Sequence, residues 1–149
     1  VKNIHICMMN TAAKDGSIDS RPMALQNTPF DGTLWFLTRR TSEKVEEVRN
    51  DQHVTLTFAE PSDQKYITLR GKATVSQDRA RVHELWNAMY KAWFPNGPDD
   101  PDISVLGVDV TDGDYWEASS SKLVFYARYA FAAATGGKVP TGESGHLEV

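Results

Sequence analysis

The polar and apolar positions of this chain alternate more often than they follow a helical period. Ile4, Ile6 and Met8 alternate with Asn3, His5 and Cys7, which predicts a strand near residues 4–11. Asp15-Gly16 is a turn signal, and residues 20–26 read as a second strand. Pro22 cannot donate a ladder hydrogen bond, so that strand belongs at an edge, a bulge or a strand start. A loop with a Pro and an Asp-Gly pair leads into a third strand at 33–38. A short helix over 42–50 follows, with Val45 and Val48 facing inward. Val54, Leu56 and Phe58 mark a fourth strand. Tyr66–Val75 is the fifth, with Gly71 at a bulge or close backbone contact.

The period then changes. Val82, Leu85, Trp86, Met89 and Trp93 recur at helical spacing after Asp78, a suitable N-cap, and predict one amphipathic helix over 79–93. Its tryptophans read as core packing rather than as a stacking platform. The Pro- and Gly-rich run 94–102 must be a loop. A sixth strand is expected at 103–110, a turn at Asp112-Gly113 and a short seventh strand at 115–118. Residues 122–135 are helix or strand, their alanines favouring helix, and a last strand is placed at 146–149. The strands come mostly as a meander. The expected fold is mainly β: a small closed or partly open antiparallel barrel with flanking helices, one domain over 1–149.

Composition narrows the function. The chain has 149 residues and a net charge of −4, which argues against general nucleic-acid binding. No apolar run is long enough to span a membrane. The single cysteine, Cys7, allows no internal disulfide and fits a reducing, cytoplasmic setting; it reads as a packing residue. No signal peptide is visible. Val1 opens in the middle of a strand pattern, so a preceding segment is expected. The four histidines are scattered and form no metal-binding motif. No nucleophile or general base identifies itself, so an enzyme here would draw its chemistry from a bound cofactor. Glu43, Glu46 and Glu47 read as the solvated face of the short helix.

The strongest candidate chemistry lies at the junction of the third strand and that helix. Thr38, Arg39, Arg40, Thr41, Ser42 and Lys44 place three cations and three hydroxyls within seven residues. A helix N-terminus also offers free backbone N–H groups, and together these suit a phosphate. The same residues read equally as a solvated basic turn. Arg21 would join them if its strand lay beside Thr38; alone it reads as a salt-bridge partner. Trp35, Phe36 and Leu37 offer apolar surface and backbone groups for a flat ring.

These residues carry a family resemblance. R-x-M at 21–23, DG-x-LWF-x-T at 31–38 and S-x-K at 42–44 resemble the pyridoxamine-phosphate-oxidase-like flavoproteins. ELWNAMYKAWFPNGPDDP at 84–101 and DYWEA at 114–118 extend the likeness to the bacterial general-stress-protein branch. The resemblance implies an antiparallel split barrel binding flavin mononucleotide (FMN), assembled as a homodimer with two flavins at the subunit interface. By matching position, Arg21, Ser42 and Lys44 would hold the phosphate. Met23, Phe36, Leu37 and Thr38 would line the ring site, and Trp116 would approach the flavin of the other subunit.

Three departures bear on chemistry. Glu43 stands where oxidases of the wider group often carry Arg, Tyr66 stands where they carry Gln, and their C-terminal arginine–histidine cluster has no clear match. The resemblance therefore implies flavin binding more than vitamin B6 oxidation. It points to a flavin-dependent oxidoreductase of unknown substrate. The alternatives are a non-catalytic flavin store or sensor, or a split barrel that holds haem or a deazaflavin.

Overall fold

A computed structural model of the chain describes residues 5–26, 28–117 and 143–148. Seven antiparallel strands form one sheet: β1 (Ile6–Ala12), β2 (Ile18–Ala24), β3 (Thr33–Arg39), β4 (His53–Glu60), β5 (Lys65–Ser76), β6 (Ile103–Glu117) and β7 (Glu143–Glu148). The helices are α1 (Glu43–Asn50) and α2 (Arg79–Leu85), and a 3-10 turn spans Ala88–Ala92. The sheet order is β2-β1-β4-β5-β6-β3, with β7 pairing only β6. Among the described residues its main path does not close: β2 and β3 are its two ends. This is the partly open antiparallel barrel with flanking helices that the alternation predicts. Residues 122–135, read as helix or strand, lie outside the described residues, as do Ala118 and Val149 at the ends of the two last expected strands.

Alternation places the core. Cys7, Met9, Leu56, Phe58, Leu106 and Val108 turn to one face, where α1 adds Val48. Strand β3 and the first part of β6, residues 103–108, are buried on both faces. Leu34 and Phe36 enter this core. Leu37, Ile103 and Val105 point the other way, against Val82 and Leu85 of α2 and against Tyr90 and Phe94.

Four expectations are corrected. First, 79–93 is not one helix. Asp78 does cap α2, accepting from the Arg81 N–H, but Trp86 and Asn87 are extended. Asn87 then accepts from the Met89 N–H and starts the 3-10 turn. Asparagine is a strong N-cap, so it begins a new turn rather than continuing the old one. Tyr90 is buried as a result, while Met89 and Trp93 are exposed.

Second, Asp112-Gly113 makes no turn, and β6 runs unbroken from Ile103 to Glu117. It pairs with β5 on one side and β7 on the other. On its outer side Arg70 bridges Asp112 at 2.5 Å and Asp114 at 2.8 Å. Pairing on both edges overrides the local turn preference. Third, the connection is not a simple meander, because β3 crosses the molecule to pair with β6. Fourth, β2 and β3 are not neighbours, so no strand pairing joins Arg21 to Thr38.

The irregularity near Gly71 is present: the β5–β6 register shifts between Arg70 and Gly71. The backbones approach closely there, and a Cβ on Gly71 would lie 2.4 Å from the Asp109 carbonyl oxygen. A backbone oxygen held in a ladder cannot step aside. Gly71→Ala should therefore cost about 1–3 kcal/mol, the usual range for overpacking. Thermal unfolding should show a drop of roughly 2–4 °C per kcal/mol. The exposed neighbour Lys72→Ala should stay within about 0.5 kcal/mol of the parent. Equal melting temperatures for Gly71→Ala and the parent would contradict the close approach.

Candidate functional site

The open ends of the sheet meet through α1. Ser42 is the N-cap residue of this helix in position and backbone angle, but its side chain makes no cap bond. Its hydroxyl instead donates to the Arg39 carbonyl at 2.8 Å and lies 3.4 Å from the Thr38 hydroxyl. In the first turn of α1, the Lys44 ammonium donates to Thr38 Oγ1 at 3.0 Å. Lys44 is half-buried, and burial pushes its pKa down. The nearby positive charge of Arg21 pushes in the same direction, and Glu47 pulls the other way. Arg21 on β2 and Thr38 on β3, at the two ends of the sheet, are thus both tied to α1: Thr38 through Lys44 and Arg21 through Glu47.

Arg21 faces inward because it lies opposite Met9 in the β1–β2 register. Its side chain is only 19% exposed. One guanidinium nitrogen donates to the Thr11 hydroxyl at 2.5 Å, the other to Glu47 Oε2 at 2.9 Å. Thr11 in turn donates to the same Glu47 oxygen at 2.5 Å. Burial disfavours a charge on Glu47. The bonds from Thr11 and Asp19 and the Arg21 charge outweigh this and hold its pKa below the usual value. Asp19 shifts the opposite way: its hydrogen bond with Glu47, burial and the neighbouring negative charge all favour the protonated form.

Glu47 corrects the reading of the helix acids as a solvated face. That reading holds for Glu43, which is exposed, and for Glu46, which pairs with Lys14 at the surface at 2.6 Å. Glu47 is buried and bonded. One further polar group faces inward here. Ser104 pairs with Thr38 across the β3–β6 ladder, so the two side chains share a face. The Ser104 hydroxyl is fully buried and has no hydrogen-bond partner among the described residues.

The other predicted site residues are placed less directly. Met23 is buried beside Cys7. Phe36 is fully buried in the main core and Leu37 in the second cluster. Neither side chain is free to hold a ring, so any contribution must come from the backbone. Strand β3 can make one, because among the described residues it is an end strand with one unpaired edge on the sheet path. Trp35 is covered by the Arg81 guanidinium, 4.6 Å above its ring. Trp116 lies on the outer face, cross-strand from Tyr66, and is 48% exposed. Ile6, Met8 and Tyr66 are exposed with it, beside a shallow cavity of about 360 Å³.

Other reactive groups lead elsewhere. Cys7 is buried, and burial raises its thiol pKa to about 12, so it is a packing residue and not a nucleophile. His53, His83 and His146 each pair with a single aspartate. No group of three or more metal-ligating side chains exists among the described residues. No described helix is long and apolar enough to cross a membrane.

The geometry defines a class: an antiparallel split barrel with a half-buried cationic and hydroxyl cluster where its ends approach one helix. The chain belongs to the pyridoxamine 5'-phosphate oxidase like family, whose model matches residues 1–140. Protein bli-3 of Neurospora crassa is 31% identical over 118 residues. That match takes in 72% of this chain and 56% of the relative, so the chain spans little more than half the relative's length. Among solved structures, a general stress protein 26 from Jannaschia sp. CCS1 superposes with a TM-score of 0.76 at 23% identity, covering 99% of this chain and 92% of that one. A general stress FMN/FAD binding protein from Xanthomonas citri gives 0.70 at 24% identity, covering 80% and 84%. At these identities the two structures establish the fold.

Proposed function

We propose that this protein binds FMN, with the phosphate held between Arg21, Ser42 and Lys44 and the ring beside the free edge of β3. The observation that carries this reading is the convergence of Arg21, Lys44, Thr38 and Ser42 at the mouth of the barrel. Burial, and after it the positive charge of Arg21, lower the Lys44 pKa, and a bound anion would relieve both. The orphaned Ser104 hydroxyl beside Thr38 is a further unused polar group there. The flavin, when bound, supplies hydride or electron transfer. The chain supplies charge-assisted donors for the phosphate, backbone groups for the ring and a dry wall formed by Met23 and its neighbours.

The reading includes a homodimer. Ile6, Met8, Ile18, Tyr66 and Trp116 are large apolar side chains left exposed on the outer faces of the strands. A symmetric partner would cover such a surface and bring Trp116 towards the flavin of the other subunit. Neither Glu43 nor Tyr66 offers the contacts of a vitamin B6 oxidase, so an oxidoreductase here would act on another substrate.

Arg21→Ala and Lys44→Ala should each weaken FMN binding about 10- to 100-fold, since hydrogen bonds to charged groups are worth roughly 1.5–3 kcal/mol. Riboflavin, which lacks the phosphate, should bind both variants as it binds the parent. Fluorescence titration reads both ligands, and unchanged FMN affinity in both variants would refute the phosphate assignment. For assembly, sedimentation should report a dimer at micromolar concentration. A monomer there would contradict a flavin site shared between subunits.

A further inference from the structure

We infer that Glu47 is a positioning residue for the phosphate anchor: with Thr11, it holds the Arg21 guanidinium in place and keeps the anchor assembled before any anion arrives. This rests on the FMN reading above and deepens it. A guanidinium has five N–H donors. Two of the five on Arg21 are committed, one to Thr11 and one to Glu47, which leaves three for a ligand. The Thr11 hydroxyl accepts from Arg21 and donates to the same Glu47 oxygen that Arg21 contacts. The three groups therefore form a closed triangle, and no member can rotate without breaking two contacts.

The triangle is needed because Arg21 and Lys44 are both partly desolvated and repel each other. With no anion present, the long arginine side chain would gain solvation and freedom by swinging out of the cluster. Glu47 opposes this from the buried side. It comes from α1, the same helix that carries Lys44, so one rigid element sets both cations. Valines 45 and 48, both buried, fix that helix on the sheet. The entropic cost of ordering Arg21 is thus met on folding rather than on binding.

The test is a double-mutant cycle read by titration with FMN and, separately, riboflavin. Glu47→Gln keeps the shape and removes the charge. It should weaken FMN binding about 10-fold, the factor that separates a charge-assisted from a neutral hydrogen bond, and leave riboflavin unchanged. In the Arg21→Ala background the same substitution should have no further effect, because Glu47 acts through Arg21. Glu47→Asp, which keeps the charge, should bind FMN more tightly than Glu47→Gln. Should Glu47→Gln not fold, Thr11→Val removes the bridging hydroxyl at nearly constant volume. It should show a smaller, equally phosphate-specific loss.

Additive effects of positions 21 and 47 would overturn the proposal, as would equal losses for FMN and riboflavin. Tighter FMN binding by Glu47→Gln would also overturn it and make Glu47 a competitor of the phosphate. An Arg21→Ala variant that binds FMN like the parent removes the underlying phosphate reading. A phosphate-specific loss in Arg21→Ala, uncoupled from position 47, defeats this inference alone.

Discussion

Helix α1 ties the two ends of an open sheet together, and the rest of the molecule depends on that contact. A strand sheet that curls without closing leaves two unpaired edges, and these must be covered or joined. Here β2 and β3 are the ends, and α1 reaches both: Glu47 bonds Arg21 of β2, and Lys44 bonds Thr38 of β3. Val45 and Val48 of the same helix are buried. Apolar packing places the helix, and the polar bonds set its register against the two ends. The junction thus carries cations, hydroxyls and a carboxylate in a half-buried setting, where each charge–charge term exceeds its value in open water.

Much of the fold was legible because strand alternation is local. β1, β4 and β5 were located within a residue or two, and the Ser42 start of α1 was correct. What failed was decided at a distance or by a local cap. Met89 and Trp93 fit a helical period, but Asn87 starts a new turn and leaves both exposed. Asp112-Gly113 has the composition of a turn, yet β5 and β7 pair it into a long strand. The β3–β6 pairing that breaks the meander has no signature in either strand alone.

The site divides the same way. Thr38, Ser42 and Lys44 are close in sequence, so their clustering could be read from spacing. Arg21 joins them in the sequence only if β2 and β3 are neighbours, which they are not. Strand pairing does not join Arg21 to Thr38; each bonds a residue of α1 instead. Glu47, Thr11 and Ser104 were missed. A glutamate among three on a short helix looks solvated until the β1–β2 register turns Thr11 and Arg21 towards it. Ser104 sits in an apolar strand and becomes notable only through its pairing with Thr38 and its unpaired hydroxyl. Helical spacing could have offered one hint: Glu47 lies three residues after Lys44 and shares its face.

In the proposed reading, the departures at Glu43 and Tyr66 would bear on what a bound flavin does rather than on whether it binds. The Arg21–Thr11–Glu47 cluster and the exposed apolar side chains are separate: the first is bonded on the inner side of β1 and β2, while the second, Ile6, Met8, Ile18, Tyr66 and Trp116, lie on the outer side. The most direct test of the anchor is a crystal structure of the protein with FMN. The account predicts phosphate oxygens within about 2.7–3.2 Å of Arg21, Ser42 and Lys44, with Arg21 still bonded to Glu47. A phosphate bound elsewhere, with these side chains unchanged and unliganded, would contradict it.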